Sequence, residues 1–276
     1  MPLPSEALPA SALDANRAVA RLRLDAQGDG GTTRLGRLHE SGGYRIKFPD
    51  AGAMLEAVIV NTGGGLCGGD TLDVSVAASD GAQLVVTTQS AEKVYRASGP
   101  QAQVAVALTA GSGSRLHWMP QEAILFSGAR LARSITAEVA EDGELLIAEA
   151  TVFGRLHMGE RPGAGLIADR WRIWRGGCLI HAEEGRLDGP VADLLDRPSV
   201  GGGARAMATL LLVAPDAEAR LDDVRAVLDA HPGTGAASAW DGRLVVRLMA
   251  DDPARLRAAY HSLVAALTGR PLPRYW

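Results

Sequence analysis

The sequence predicts a mainly β protein: stacked antiparallel hairpins and sheets forming one β-rich body, with two α-helices in the C-terminal quarter. Three observations carry that reading. Between residues 71 and 186 apolar side chains recur with a period of two. Glycine-bearing turns punctuate that stretch at nearly constant spacing. Beyond about residue 204 the period changes toward that of a helix.

In TLDVSVAA, Leu72, Val74 and Val76 share one face while Asp73 and Ser75 take the other. Ser79-Asp80-Gly81 follows, then AQLVVTTQ, rich in β-branched residues. Asp-Gly between such runs is a hairpin signal, because a tight turn needs the positive φ that glycine adopts without strain. The unit recurs in QVAVALTAGSGSRLHWMP, in ITAEVAEDGELLIAEATV and in WRIWRGGCLIHAEE. The markers Gly81, Gly113, Gly143 and Gly177 lie 32, 30 and 34 residues apart. Either a degenerate repeat stacks hairpins that cannot bury an apolar face singly, or these are the loosely spaced turns of any antiparallel protein.

Past residue 204, ATLLLVAP is a buried strand. EARLDDVRAVLDA places Leu221, Val224, Val227 and Leu228 on one helical stripe. ASAWDG and RLVVRLMA are strands joined at Asp241-Gly242. PARLRAAYHSLVAALTG is the last helix, with Pro253 suited to its first turn, Gly269 to its exit, and a stripe of Leu256, Tyr260, Leu263 and Leu267. This order predicts two helices on a small antiparallel sheet. The expected organisation is a flexible tail over 1–18 and one domain over 19–276, with an α+β portion at about 204–276.

Composition narrows function. The 276 residues carry a net charge of −4 and a pI of about 5.9, so no global basic field exists to hold nucleic acid. No apolar run approaches the ~20 residues of a membrane span, and the N-terminus lacks the basic and apolar regions of a secretory signal. Cys67 and Cys178 form no disulfide framework, which points to a reducing cytoplasm.

Chemistry-bearing motifs are few. NTGGGLCGGD, 61–70, lacks the GK[ST] ending of a P-loop and lies between strands. A sharp bend is favoured over a phosphate cradle, with Asp70 capping the turn or pointing into a cavity. No histidines are paired at metal-ligand spacing, and no nucleophile elbow occurs. No catalytic residue is expected. Glu149 and Glu183 follow the apolar runs LLIAE and CLIHAE at similar places in their hairpins, where stacking could bring them together. If the hairpins stack, their long connections emerge at one end carrying Lys93, Tyr95, Arg96, Glu122 and Glu160. Lys93 and Arg96 suit an anion, or, with Tyr95, the rim of a protein interface.

Six segments in this order resemble the urease accessory protein family UreD, also called UreH. They are NTGGGLCGGDTLDVSV, TTQSAEKVYRASG, LHWMPQEAILFSGARL, FGRLHMGE, DRPSVGGGARAMATLLLV and LPRYW, and the resemblance covers about residue 20 to Trp276. His117 stands where that family usually has an acid, and Ser98 lies one place further from Arg96 than its pattern has. The resemblance implies a β-dominated, non-catalytic maturation factor. It would join apo-urease, UreF and the GTPase UreG in a complex that inserts Ni²⁺ into urease, and hold no tightly bound cofactor. It also implies transient passage of Ni²⁺ through the interior. Separated oxygen ligands release an ion more readily than an imidazole-rich site, which makes Asp70, Glu149 and Glu183 the candidates for the route. The partner contacts would fall to Lys93, Tyr95, Arg96, Glu122 and Glu160. The alternatives are a structural clamp that never touches metal and a small-molecule enzyme with an anion site.

Overall fold

The structure, a computed structural model, describes residues 17–49, 54–273 and 276, without the side chain of His157. The expected tail at 1–18 lies outside the described residues as far as residue 16.

Four strands precede the glycine-rich segment: β1 (Val19–Asp29), β2 (Thr32–Glu40), β3 (Tyr44–Lys47) and β4 (Leu55–Asn61). Then follow β5 (Thr71–Ser79), β6 (Gln83–Thr88), β7 (Glu92–Val94), β8 (Ala102–Ala110), β9 (Arg115–Trp118), β10 (Ala123–Leu125), β11 (Arg130–Val139) and β12 (Glu144–Phe153). The chain continues through β13 (Ala164–Arg175), β14 (Cys178–Pro190) and the short helix α1 (Val191–Asp196) to β15 (Ala206–Val213). Helix α2 (Leu221–Asp229), β16 (Gly235–Trp240), β17 (Arg243–Ala250) and α3 (Pro253–Thr268) complete it.

The mainly β body, its stacked sheets and the two C-terminal helices are as expected; the pairing within the repeats is not. One sheet runs β14-β13-β11-β8-β5-β1-β2, the other β16-β17-β15-β12-β9-β6-β4-β3. The arms either side of Gly81 therefore lie in different sheets, as do those either side of Gly113 and Gly143. These three units are arches, not hairpins. Each arm pairs in parallel with its counterpart in the next unit: Thr71 with Gln103, and Gln83 with Arg115. Only the fourth unit, β13–β14 around Gly177, is an antiparallel hairpin. The physical reason is burial. Both arms of an arch carry an apolar face, and turning those faces toward each other across a sandwich hides them better than one exposed hairpin could.

The first core fills the space between the sheets, with Leu72, Val74 and Val76 facing Leu84 and Val86. A second lies on the outer face of the other sheet. Along β12, Leu145 and Ile147 enter the first core, while Leu146, Ala148 and Ala150 enter the second. This two-sided burial explains the unbroken apolar run there. Helices α2 and α3 close the second core with Val224, Leu228, Leu256, Tyr260 and Leu263. Asp252 caps α3 by accepting from the Ala254 N–H at 2.8 Å, Pro253 starts it, and Gly269 leaves it at φ 60°. The small C-terminal sheet is antiparallel as expected, and β15 joins it edge-on to β12.

Candidate functional site

Period-two alternation sends two charged side chains into the space between the sheets. On β11, Arg133 is in phase with buried Leu131, Ile135, Ala137 and Val139; on β13, Asp169 is in phase with Ile167, Trp171 and Ile173. The strands are parallel, and their register sets Arg133 beside Asp169. From the opposite sheet Glu149 enters the same space, in phase with Leu145 and Ile147.

The three form one cluster. Arg133 Nε donates to Asp169 Oδ1 at 3.2 Å, Nη2 pairs with Asp169 Oδ2, and Nη1 pairs with Glu149 Oε2. Two indoles hold the acids from outside: Trp118 Nε1 donates to Glu149 Oε1 at 2.8 Å and Trp171 Nε1 to Asp169 Oδ1 at 3.0 Å. The Arg133 side chain is 9% exposed and that of Glu149 is 4% exposed. Burial raises the Glu149 carboxyl above its ordinary value; the Asp169 charge adds to the rise and Arg133 opposes it. Ionised, the trio carries a net charge of −1.

The cluster is the wall between cavities. A half-open cavity of about 370 Å³ is lined by Arg133, Glu149 and Asp169, with Trp171, Met207 and Glu183 beyond them. Glu183 is paired to Arg247 at 2.5 and 3.0 Å and lies 3.5 Å from His181. Its carboxyl is pushed down to about 2: burial, the largest effect, works against this, but His181 and Arg247 prevail. On the other side of Arg133 and Glu149 lies a cavity of about 80 Å³, reaching Tyr44, Leu66, Glu92 and Trp118. There Tyr44 Oη donates to Glu92 Oε2 at 3.3 Å, and Asn61 Nδ2 donates to Glu92 Oε1 and to Tyr44 Oη, both at 2.9 Å. Burial pushes Glu92 up to about 7.

Of the sequence-predicted acids, Glu149 and Glu183 share the larger cavity. They meet from opposite sheets, not as equivalent positions of stacked hairpins. Asp70 lines neither cavity and clamps the backbone: Oδ1 accepts from Ala18 N–H at 2.9 Å, Oδ2 from Cys67 N–H at 2.7 Å. The glycine-rich segment is a bend held against its neighbours, since a Cβ on Gly68 would stand 2.5 Å from Ala97 Cβ and 2.6 Å from Pro100 O. Asp70→Ala is expected to destabilise the fold by about 2 kcal/mol, because two part-buried N–H groups lose their acceptor; urea unfolding at neutral pH measures it.

The long connections do converge. Strand β10 pairs in parallel with β7 and with β12. Tyr95 stands edge-on to Phe126 at 5.1 Å, and Arg155 lies 4.4 Å from the same ring. Tyr95 Oη donates to Gly64 O at 3.0 Å; Glu160 accepts from Ser127 N–H, Arg155 N–H and Arg155 Nε; Glu122 pairs with Arg257. These three brace the loops, whereas Lys93 and Arg96 are exposed. His117 is buried on Glu144 at 2.8 Å. Among the described residues no group of three or more His, Cys, Asp or Glu side chains could hold a metal ion. Nor is any helix among them long and apolar enough to cross a membrane.

Sequence reasoning passed over Arg133, Asp169, Trp171 and Glu92. The signal for the first two was present: each is a charged residue on the inward phase of an otherwise apolar strand.

Fold and interior together define a class, a two-sheet stack of β-arches enclosing a charged cluster between cavities. The model of a family described as UreD urease accessory protein matches residues 18–276. Urease accessory protein UreD 2 of Methylorubrum populi is 49% identical over 94% of this chain and 89% of its own length. Urease accessory protein UreD of Xanthobacter autotrophicus is 48% identical over 94% and 90%. That of Rhodopseudomonas palustris strain BisB18 is 43% identical over 99% of both. The chain belongs to the UreD urease accessory protein family.

Proposed function

We propose that this chain is a cytoplasmic urease maturation factor that makes no bonds itself. It docks apo-urease together with UreF and the GTPase UreG, and Ni²⁺ passes through its interior as cargo. The observation supporting passage is the placement of Glu149 and Arg133 in the wall shared by two cavities, with Glu183 in one and Glu92 in the other. Oxygen donors spaced along a route bind a divalent ion weakly at each station and let it leave. Asp70, with both oxygens on backbone N–H groups, keeps the adjoining bend in shape. The loop cluster is the docking face, where exposed Lys93 and Arg96 contact a partner while Tyr95, Glu122 and Glu160 hold the loops in place.

The test is urease nickel content in cells carrying Glu149→Gln or Glu183→Gln. Each should lower it several-fold while the accessory complex still co-purifies. Normal nickel content in both variants would overturn the conduit and leave the chain a structural clamp.

A further inference from the structure

Arg133 poses a physical problem for any cation crossing this interior. Its guanidinium already occupies the place between Glu149 and Asp169 that a travelling ion would take, contacting Glu149 Oε2 and both oxygens of Asp169. The indoles of Trp118 and Trp171 donate to those carboxylates independently of it, so the acids have anchors that do not depend on Arg133.

Resting on the conduit reading above, we propose that Arg133 is a tethered counter-cation, exchanged for a divalent ion at the Glu149–Asp169 pair and returning to expel it. Charge counting favours exchange over addition. With Arg133 in place and both acids ionised the site carries −1. A divalent ion added beside it would bring the buried cluster to +1, whereas an ion replacing it leaves the cluster neutral. Departure of the guanidinium uncovers Glu149 Oε2 and the Asp169 carboxylate, oxygen donors of the kind a divalent ion accepts. The displaced side chain has somewhere to go. Arg133 also lines the interior cavity of about 370 Å³, which holds a further carboxylate, Glu183. Re-entry of Arg133 then competes with the ion for the same oxygens, so the site binds without trapping. The device works by competition between two cations, one of them covalently attached.

Equilibrium dialysis of the full chain against Ni²⁺ tests this, using Arg133→Met, Arg133→Lys and the triple variant Arg133→Met/Glu149→Gln/Asp169→Asn. Arg133→Met should gain one site at least tenfold tighter than any interior site of the unaltered chain. Arg133→Lys, whose single ammonium cannot span both acids, should gain a smaller part of that. The triple variant should lose the gain. In cells Arg133→Met should lower urease nickel content, because the ion is retained. No gain of affinity in Arg133→Met overturns the exchange. Should that variant fail to fold, no gain in Arg133→Lys does so. Neither result bears on the conduit, which stands or falls on delivery by Glu149→Gln and Glu183→Gln.

Discussion

Trp171→Ala is expected to lower the free energy of unfolding by about 3–5 kcal/mol, the range for truncating a fully buried aromatic side chain. Trp171 is 2% exposed and sits in the core between the sheets. It also borders the 370 Å³ cavity, so truncation enlarges an existing void. A second cost comes from its indole N–H, which donates to Asp169 Oδ1. Trp171→Phe deletes that bond while keeping most of the packing, and about 1–2 kcal/mol should be lost there. Urea unfolding of both variants separates the two contributions. Equal losses would show that the hydrogen bond, not the void, dominates.

Glu92→Gln is expected to remove a decline of stability between pH 5 and pH 8. The folded-state carboxyl sits at about 7 against an ordinary 4.5, chiefly through burial, with Asn61, Tyr44 and Lys93 opposing the rise. Between those values the folded chain keeps a proton that the unfolded chain has released. Stability is therefore fully present below about 4.5 and is lost as pH rises through 7. A shift of that size corresponds to about 3 kcal/mol. Glutamine imitates the protonated acid, so the variant should match the parent near pH 5 and exceed it by that amount near pH 8. Glu144 and Glu183 do not confuse the measurement. Both are pushed down to about 2, so their contributions are lost only below about pH 4.5. Parallel stability profiles for variant and parent across pH 5–8 would sink this account of Glu92.

Which strands exist was legible because their alternation is local. Which strands pair was not. An Asp-Gly turn between two alternating runs is written identically whether its arms bond to each other or part into facing sheets. The information that separates the cases lies about 30 residues away, in the next unit. The near-constant spacing of Gly81, Gly113 and Gly143 was the one trace of it, since side-by-side stacking of arches demands a repeat length and a string of hairpins does not. The charged cluster was half legible. Glu149 was found from the apolar run before it, but its partners Arg133 and Asp169 come from strands of the other sheet. The surroundings of Glu92 are assembled from Tyr44, Asn61 and Glu92, three points that no local pattern connects.

Parallel stacking of arches also shapes how the chain can be made. During translation each new arch finds the edge of its predecessor already waiting, so the body can lengthen rung by rung on the ribosome. The outer face of β12 has no such luck. Leu146, Ala148 and Ala150 belong to a cluster built mostly of residues from Ala206 onward, so much of that greasy strip stays bare until the last quarter of the message has been read. A nascent chain paused there presents an adhesive, unfinished surface until its C-terminal cover is made.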